Sequence, residues 1–232
     1  MYILASLVMS IAPAVFFVCY FYRQDTRKPE PKGLIVKLFI WGAISVFPAI
    51  ALELAFSWFF RSFSFSRLLY SFFRAFLIAA LCEEFIKLQI VKRTVYNNVN
   101  FDEVMDGIVY TVTASLGFAC LENIFYVMNK GLSTALSRAF TAVPMHAIAS
   151  GIMGYYIGKA KFANSLRREK SLIYIGLFLA ILIHGFYDFL LFAHPVINLI
   201  TLSIFPLIVG TFIALKNRIK SAIEKDTEAL RF

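Results

Sequence analysis

The sequence predicts an all-α membrane protein, a bundle of about seven transmembrane helices (six to eight). Of its 232 residues, 60% are hydrophobic and 26 are Phe, whereas a soluble domain is about 45–50% apolar. The apolar residues form long runs with few charges, and one membrane-spanning helix needs roughly 20 of them. We therefore expect a single membrane-embedded domain over residues 1–232, with no soluble domain beside it.

Seven apolar runs follow one another along the chain, separated by short charged or polar connections. The first run has no basic segment ahead of it and no small-residue cleavage pattern, so we interpret it as a retained span. Pro29 and Pro31 in the first connection prevent a continuous helix there. The predicted spans are residues 2–22, 33–60, 68–91, 104–128, 132–158, 171–193 and 195–215.

The basic residues predict how these spans are oriented. Eighteen of the 23 Lys and Arg fall on one set of connections and span ends, which includes the C-terminal tail with Arg231. The other set holds only five, namely Arg61, Arg67, Arg74, Lys130 and Arg138. The positive-inside rule places the N-terminus outside and the C-terminus in the cytoplasm. Because the net charge of +9 is explained by these connections, we expect a lipid bilayer and no nucleic acid as the partner.

Ionisable and amide side chains occur inside four of the predicted spans, and they share one depth in the bilayer. Such a residue is costly in lipid unless it faces a partner or a water-filled cavity, so each is a functional candidate. The expected centre is Glu83, Glu84, His146 and His184, with Glu122 and Asp188 about one turn further out. The supporting candidates are Lys87, Glu103, Glu122, Asn123 and Asp188.

Helical spacing relates these candidates to one another. Lys87 is three residues from Glu84 and four from Glu83, so it can neutralise one carboxylate while the other stays available. His184 and Asp188 are four residues apart and share a helix face. The alternative to a functional site is a purely structural role, in which Lys87 and a glutamate form an ordinary ion pair and the histidines are buried core residues. We interpret Glu53 as structural, and Gly151, Gly154 and Gly158 as a close helix–helix contact.

This set of residues is suited to peptide hydrolysis by either of two routes. In one, Glu83 or Glu84 with His146 activates water, while His184 and either Asp188 or Asn123 stabilise the oxyanion. In the other, His146, His184 and a glutamate such as Glu84 bind zinc, and another glutamate is the base. No serine or cysteine stands beside an obvious base, which argues against a covalent route. The residues leave both routes open.

Five ordered segments resemble the PrsW family of bacterial intramembrane proteases, which is distantly similar to the CAAX prenyl endopeptidases. They are EEFIK at 83–87, FDEVMDGIVY at 101–110, LGFACLENIFY at 116–126, HAIASGIMGYYIG at 146–158 and HGFYDF at 184–189. The resemblance implies functional residues at Glu83, Glu84, Glu103 and His184, with His146 and Glu122 as further motif positions. Glu103 is the exception in depth, because it lies at the cytoplasmic start of a span, where negative charge favours the helix N-terminus.

The same resemblance implies the substrate and the place of action. It implies a multi-pass enzyme of the bacterial cell membrane. That enzyme makes the first, site-1, cut in a single-span, membrane-anchored anti-sigma factor, which leads to sigma-factor release in a stress response. The depth of the residues predicts a cut near the extracytoplasmic boundary of the substrate span. The alternatives are a proton-coupled transporter, since membrane carboxylates and histidines also form proton relays, and a non-catalytic membrane binding protein.

Overall fold

The computed structural model describes residues 2–229, and side chains from residue 7 to residue 228. Arg231, one of the charges used above for the orientation, lies outside this range. Residues 2–229 form helices and turns and contain no β-strand. The α-helices are α1 Tyr2–Tyr22, α2 Lys32–Ile44, α3 Val46–Phe60, α4 Arg67–Phe73, α5 Leu81–Thr94, α6 Val104–Lys130, α7 Leu132–Phe140, α8 Ala142–Lys161, α9 Leu166–Phe192 and α10 Ile204–Ala229.

The all-helical prediction is confirmed over the described residues. Four helical segments are long and apolar enough to cross a membrane. They are Lys32–Phe60, Val104–Lys130, Leu166–Phe192 and Ile200–Glu228. The full count of seven spans and the orientation stay predictions. Some boundaries differ from the predicted ones: the fifth apolar run is divided at Thr141 into α7 and α8, and α9 begins five residues earlier, after Ser165 caps it by accepting the Arg168 amide.

Helix α6 is the centre of the bundle and packs against α1, α2 and α8. Glycines allow the closest of these approaches. A Cβ atom on Gly154 of α8 would lie 2.3 Å from the Gly107 carbonyl oxygen, and one on Gly158 would lie 2.3 Å from the Val104 carbonyl oxygen. The predicted glycine contact is therefore confirmed at these two positions, while Gly151 faces α10.

The segment Lys32–Phe60 is tightly packed in its first half and loosely packed in its second. In α2, Gly42 lies so close to α6 that an added Cβ would be 1.9 Å from the Ala114 carbonyl oxygen. The helix breaks at Ser45. Pro48 has no backbone N–H with which to continue the bonding pattern across this break. Beyond it, α3 contacts few residues of α6, and a cavity opens between them.

Helices α4 and α5 are joined without a turn by a π-helical segment, Arg74–Ala80. This segment packs against α9, where Gly185 leaves room for the Phe76 ring. A π segment uses i→i+5 hydrogen bonds and often lies next to a functional site. Here it directly precedes Glu83 and Glu84 at the start of α5.

Candidate active site

A cavity of ≈ 580 Å³ lies at the end of the bundle where α3, α6 and α9 finish and α8 begins. This volume is within the range of ordinary ligand pockets, about 300–1,000 Å³. Its wall contains an unusual number of ionisable groups for a bundle of apolar helices. They are Glu53, Arg74, Glu83, Glu122, Lys130, Arg138, His146, His184 and Asp188, together with Tyr126 and Tyr187.

Glu83, His146 and His184 form the centre of this wall. Each is buried and offers one nitrogen or oxygen atom, and the three atoms lie within 4.8 Å of one another. The two imidazole rings meet edge to face, with 4.9 Å between their centroids. His184 Nε2 lies 3.9 Å from Glu83 Oε2 and 3.5 Å from Asp188 Oδ2. Residues that the sequence placed at one depth on three helices thus meet at one point.

Glu84 lies behind this group and does not line the cavity. Its Oε1 is 2.9 Å from His184 Nδ1, and its Oε2 accepts a hydrogen bond from Ser150 Oγ at 2.9 Å. The Glu84 carboxylate is fully buried. The sequence-based zinc set contained Glu84, whereas the structure groups Glu83 with the two histidines. In this arrangement Glu84 fixes the His184 ring with Nε2 facing the cavity.

Lys87 is also fully buried and lies among the two glutamates and His146. Its Nζ atom is 2.7 Å from Glu84 Oε1, 3.3 Å from Glu83 Oε2 and 3.0 Å from His146 Nδ1. It also lies 4.5 Å from the centroid of the Phe118 ring. An ammonium group only donates, so His146 Nδ1 accepts here and its Nε2 donates to Glu122 Oε2 at 3.0 Å. The helical spacing predicted that Lys87 would neutralise one of the two glutamates. In the structure its ammonium group contacts both of them.

Arg138 of α7 connects the two neighbouring polar residues of α6. It donates to Glu122 Oε2 at 2.6 Å and to Asn123 Oδ1 at 3.0 Å. The Asn123 amide donates in turn to the Ser10 carbonyl at 3.4 Å. Asn123 is fully buried and does not line the cavity, so this placement does not support the oxyanion role considered for it. The sequence analysis did not select Arg138 as a site residue, because a basic residue near the end of a span was interpreted as an indicator of membrane orientation.

Glu53 was interpreted as structural, but the structure places it on the cavity wall. It is carried by α3, the loosely packed half of its segment, and lines the same cavity as His146 of α8 and His184 of α9. Within the described residues it forms no ion pair with a basic side chain. The sequence did contain a signal, because Glu53 is an acidic residue in an apolar run with no basic residue three or four positions away. A carboxylate in such a run is expected to face a partner or a water-filled cavity.

Glu103 is remote from the cavity. It occupies the N-cap position of α6, where it forms a capping box with Asp106. Ser115, twelve residues further along α6, donates to the His146 carbonyl and so marks the level of the site. With a rise of about 1.5 Å per residue, Glu103 is about 18 Å from that level. The structure therefore separates it from the other predicted site residues.

Comparison with known proteins assigns the chain to a family. Residues 30–215 match the model of the PrsW family intramembrane metalloproteases. The chain belongs to this family. It is 39% identical over 183 residues to Protease PrsW of Geobacillus kaustophilus (79% of this chain, 78% of that protein). It is 36% identical over 221 residues to Protease PrsW of Oceanobacillus iheyensis (95% and 97%). No solved structure matches significantly.

Membership in the PrsW family makes the protein a membrane-embedded peptidase and implies a metal. Glu83, His146 and His184 supply one carboxylate and two imidazoles, which is a donor set of catalytic zinc sites. The contact between Glu84 and His184 Nδ1 is the kind that orients a ligating imidazole. Coordination by His146 Nε2 requires a proton on Nδ1, and Lys87 would then donate to the two glutamates alone. With His146 protonated on Nδ1, the residues present fit a metal ion.

Proposed function

We propose that the protein hydrolyses a peptide bond of a single-span membrane protein in the cavity between α3 and α9. The observation that carries this proposal is the meeting of Glu83, His146 and His184 at the wall of a cavity inside a helical bundle. These three residues would hold the metal. A zinc ion held there supplies Lewis-acid polarisation of the scissile carbonyl and an acidified water.

The other polar residues would position groups or move a proton. Glu84 and Lys87 hold His184 and His146 from behind the wall. Among the cavity carboxylates, Glu122 is engaged by Arg138 and His146, and Asp188 lies next to His184. Glu53 has no such partner. We assign it as the group that accepts a proton from the attacking water and passes it to the leaving amine.

The proposed substrate is a membrane-anchored anti-sigma factor, cut at the first site in the bacterial cell membrane to release a sigma factor in a stress response. The family resemblance supports this substrate, and all the relatives named above are bacterial proteins. The predicted orientation puts the cavity in the outer half of the bilayer, which supports a cut near the extracytoplasmic end of the substrate span. Mapping the cut to the cytoplasmic end would contradict the orientation or the proposal.

The test uses purified full-length protein in lipid vesicles together with a candidate single-span substrate. We expect the wild type to cleave it, and Glu83→Gln and His184→Ala to leave it intact. Glu224→Gln is the matched control, because Glu224 is exposed, remote from the cavity lining, and paired with Lys220. A chelator should stop cleavage and zinc should restore it. Intact substrate with the wild type, alongside proton-driven solute flux, would favour a transporter; intact substrate without flux would favour a binding protein.

In cells, deletion of the gene should leave one anti-sigma factor uncleaved under envelope stress. Restoring the wild type should restore the cut, whereas restoring Glu83→Gln should not. If the anti-sigma factor is cleaved equally in the deletion strain, the proposed substrate is wrong even where the purified protein is an active peptidase.

A further inference from the structure

A second group of buried acids lies at the opposite end of α6 from the cavity. Asp25 and Glu30 belong to the connection between α1 and α2, and Asp106 lies in the first turn of α6. Each offers a carboxylate oxygen, and the three oxygens lie within 4.8 Å of one another. Their exposed fractions are 4%, 2% and 0% respectively. Three carboxylates thus share one buried space.

No basic side chain among the described residues compensates this charge by an ion pair. Two basic residues of the connection bind other groups. Lys28 donates to Asp102, and Arg27 donates to the Thr227 hydroxyl. Isolated buried carboxylates are costly unless a proton or a cation neutralises them. Burial accordingly raises the pKa of Asp25 and of Glu30.

The individual oxygens show where a cation would bind. Asp106 Oδ2 accepts the amides of Asp102 and Glu103. Its Oδ1 and the Oδ2 of Asp25 are buried, and neither has a hydrogen-bond partner among the described residues. Carboxylate oxygens of Glu30 and Asp106 lie within 4.8 Å of each other, and a proton or a cation between them would remove the repulsion of two groups that are both acceptors when ionised. The Tyr110 hydroxyl donates to Glu30.

We propose that Asp25, Glu30 and Asp106 bind a hard divalent cation, Ca²⁺ or Mg²⁺, separate from the catalytic metal. An all-oxygen donor set favours these ions over zinc. Ca²⁺ takes ligands at about 2.3–2.6 Å, so oxygens on opposite sides of it are about 4.6–5.2 Å apart, and three oxygens within 4.8 Å can surround it. The ion joins the α1–α2 connection to the start of α6 and stabilises the cytoplasmic end of the bundle.

The test measures thermal unfolding of metal-stripped, full-length protein in detergent, with Ca²⁺ or Mg²⁺ added alone. We expect a rise of about 5 °C at saturation for the wild type. His184→Ala should keep the rise, and Asp25→Asn and Glu30→Gln should lose it. Asp102→Asn is the matched control, because Asp102 is an exposed neighbour paired with Lys28, and it should keep the rise.

Terbium luminescence tests the same site in the wild type alone, so a variant that fails to fold does not prevent a decision. Tb³⁺ replaces Ca²⁺, and Tyr110 and Tyr22, which both contact Glu30, should sensitise its emission. We expect one Tb³⁺ per chain, displaced by Ca²⁺. Absence of both the emission and the thermal shift would mean that protons neutralise the acids and would overturn the proposal. A shift that persists in Asp25→Asn and Glu30→Gln would also overturn it, because the cation would bind elsewhere.

Discussion

Replacing Lys87 by methionine should destabilise the protein strongly, because it leaves two buried glutamates without their shared cation. The Lys87 ammonium uses all three donors, on Glu84, Glu83 and His146. Hydrogen bonds to charged groups contribute about 1.5–3 kcal/mol each, so the two bonds to glutamates account for about 3–6 kcal/mol. Glu84 keeps Ser150 and His184 as partners. We therefore expect a loss of about 3–5 kcal/mol, as when one partner of a buried ion pair is removed.

The measurement is equilibrium unfolding in detergent micelles, as a double-mutant cycle with Glu84→Gln. Removing Lys87 and Glu84 together should restore about 2 kcal/mol or more relative to the sum of the single changes, because one of the two uncompensated carboxylates is gone. Lys220→Met is the control. Lys220 is 79% exposed and lies 3.9 Å from Glu224, so its loss should change stability by less than about 0.5 kcal/mol. A cost below about 1 kcal/mol for Lys87→Met, or strict additivity in the cycle, would refute this reasoning.

Three further changes test other parts of the structure. Glu53→Gln should lower the cleavage rate by about 100-fold or more at unchanged unfolding temperature, as expected for a general base; a rate within threefold of wild type would remove Glu53 from the mechanism. Glu103→Ala should cost about 1 kcal/mol through the lost helix cap and leave the activity of the folded protein unchanged, so lost activity at wild-type stability would contradict the cap assignment. Gly154→Ala should destabilise the protein by about 1–3 kcal/mol through overpacking. The control Gly210→Ala, with nothing within 4 Å of the added Cβ, should stabilise it by up to about 1 kcal/mol. Equal effects of the two changes on stability would disprove the close α6–α8 contact.

The sequence was sufficient to predict an all-helical fold and to place Glu83, His146 and His184 at one depth. Span length and a fixed rise per residue determine how far along its helix each polar residue lies, and this is why His146, His184 and Glu83 meet as expected. The direction in which each side chain points around its helix axis could not be predicted in this way. Adjacent residues such as Glu83 and Glu84 point in directions about 100° apart, and which of them faces the cavity depends on how the helix is turned.

The rotation of α5 depends on the π segment Arg74–Ala80, which precedes it, and on the packing of that segment against α9. The hydrophobic pattern of the sequence reveals neither feature. The division of the fifth apolar run at Thr141 was hidden for a similar reason. Helix α7 ends at Phe140, and its Arg138 contacts Glu122 and Asn123, a tertiary contact that local apolar content does not encode. The position of Glu53 on the cavity wall could not be predicted from the sequence, because the cavity lies where α3 and α6 make few contacts.

The two halves of the segment Lys32–Phe60 differ in how closely they pack on the bundle. Gly42 and Gly117 bring α2 and α6 into backbone contact, and α6 contacts α8 closely at Gly107, so His146 is carried by the tightly packed part of the bundle. Helix α3 has no comparable glycine contact and presents large apolar side chains such as Trp58 outward. The proposed function therefore predicts that a substrate helix meets the cavity along α3, the element that carries Glu53. Substrate arrival and placement of the proposed base would then depend on the same helix.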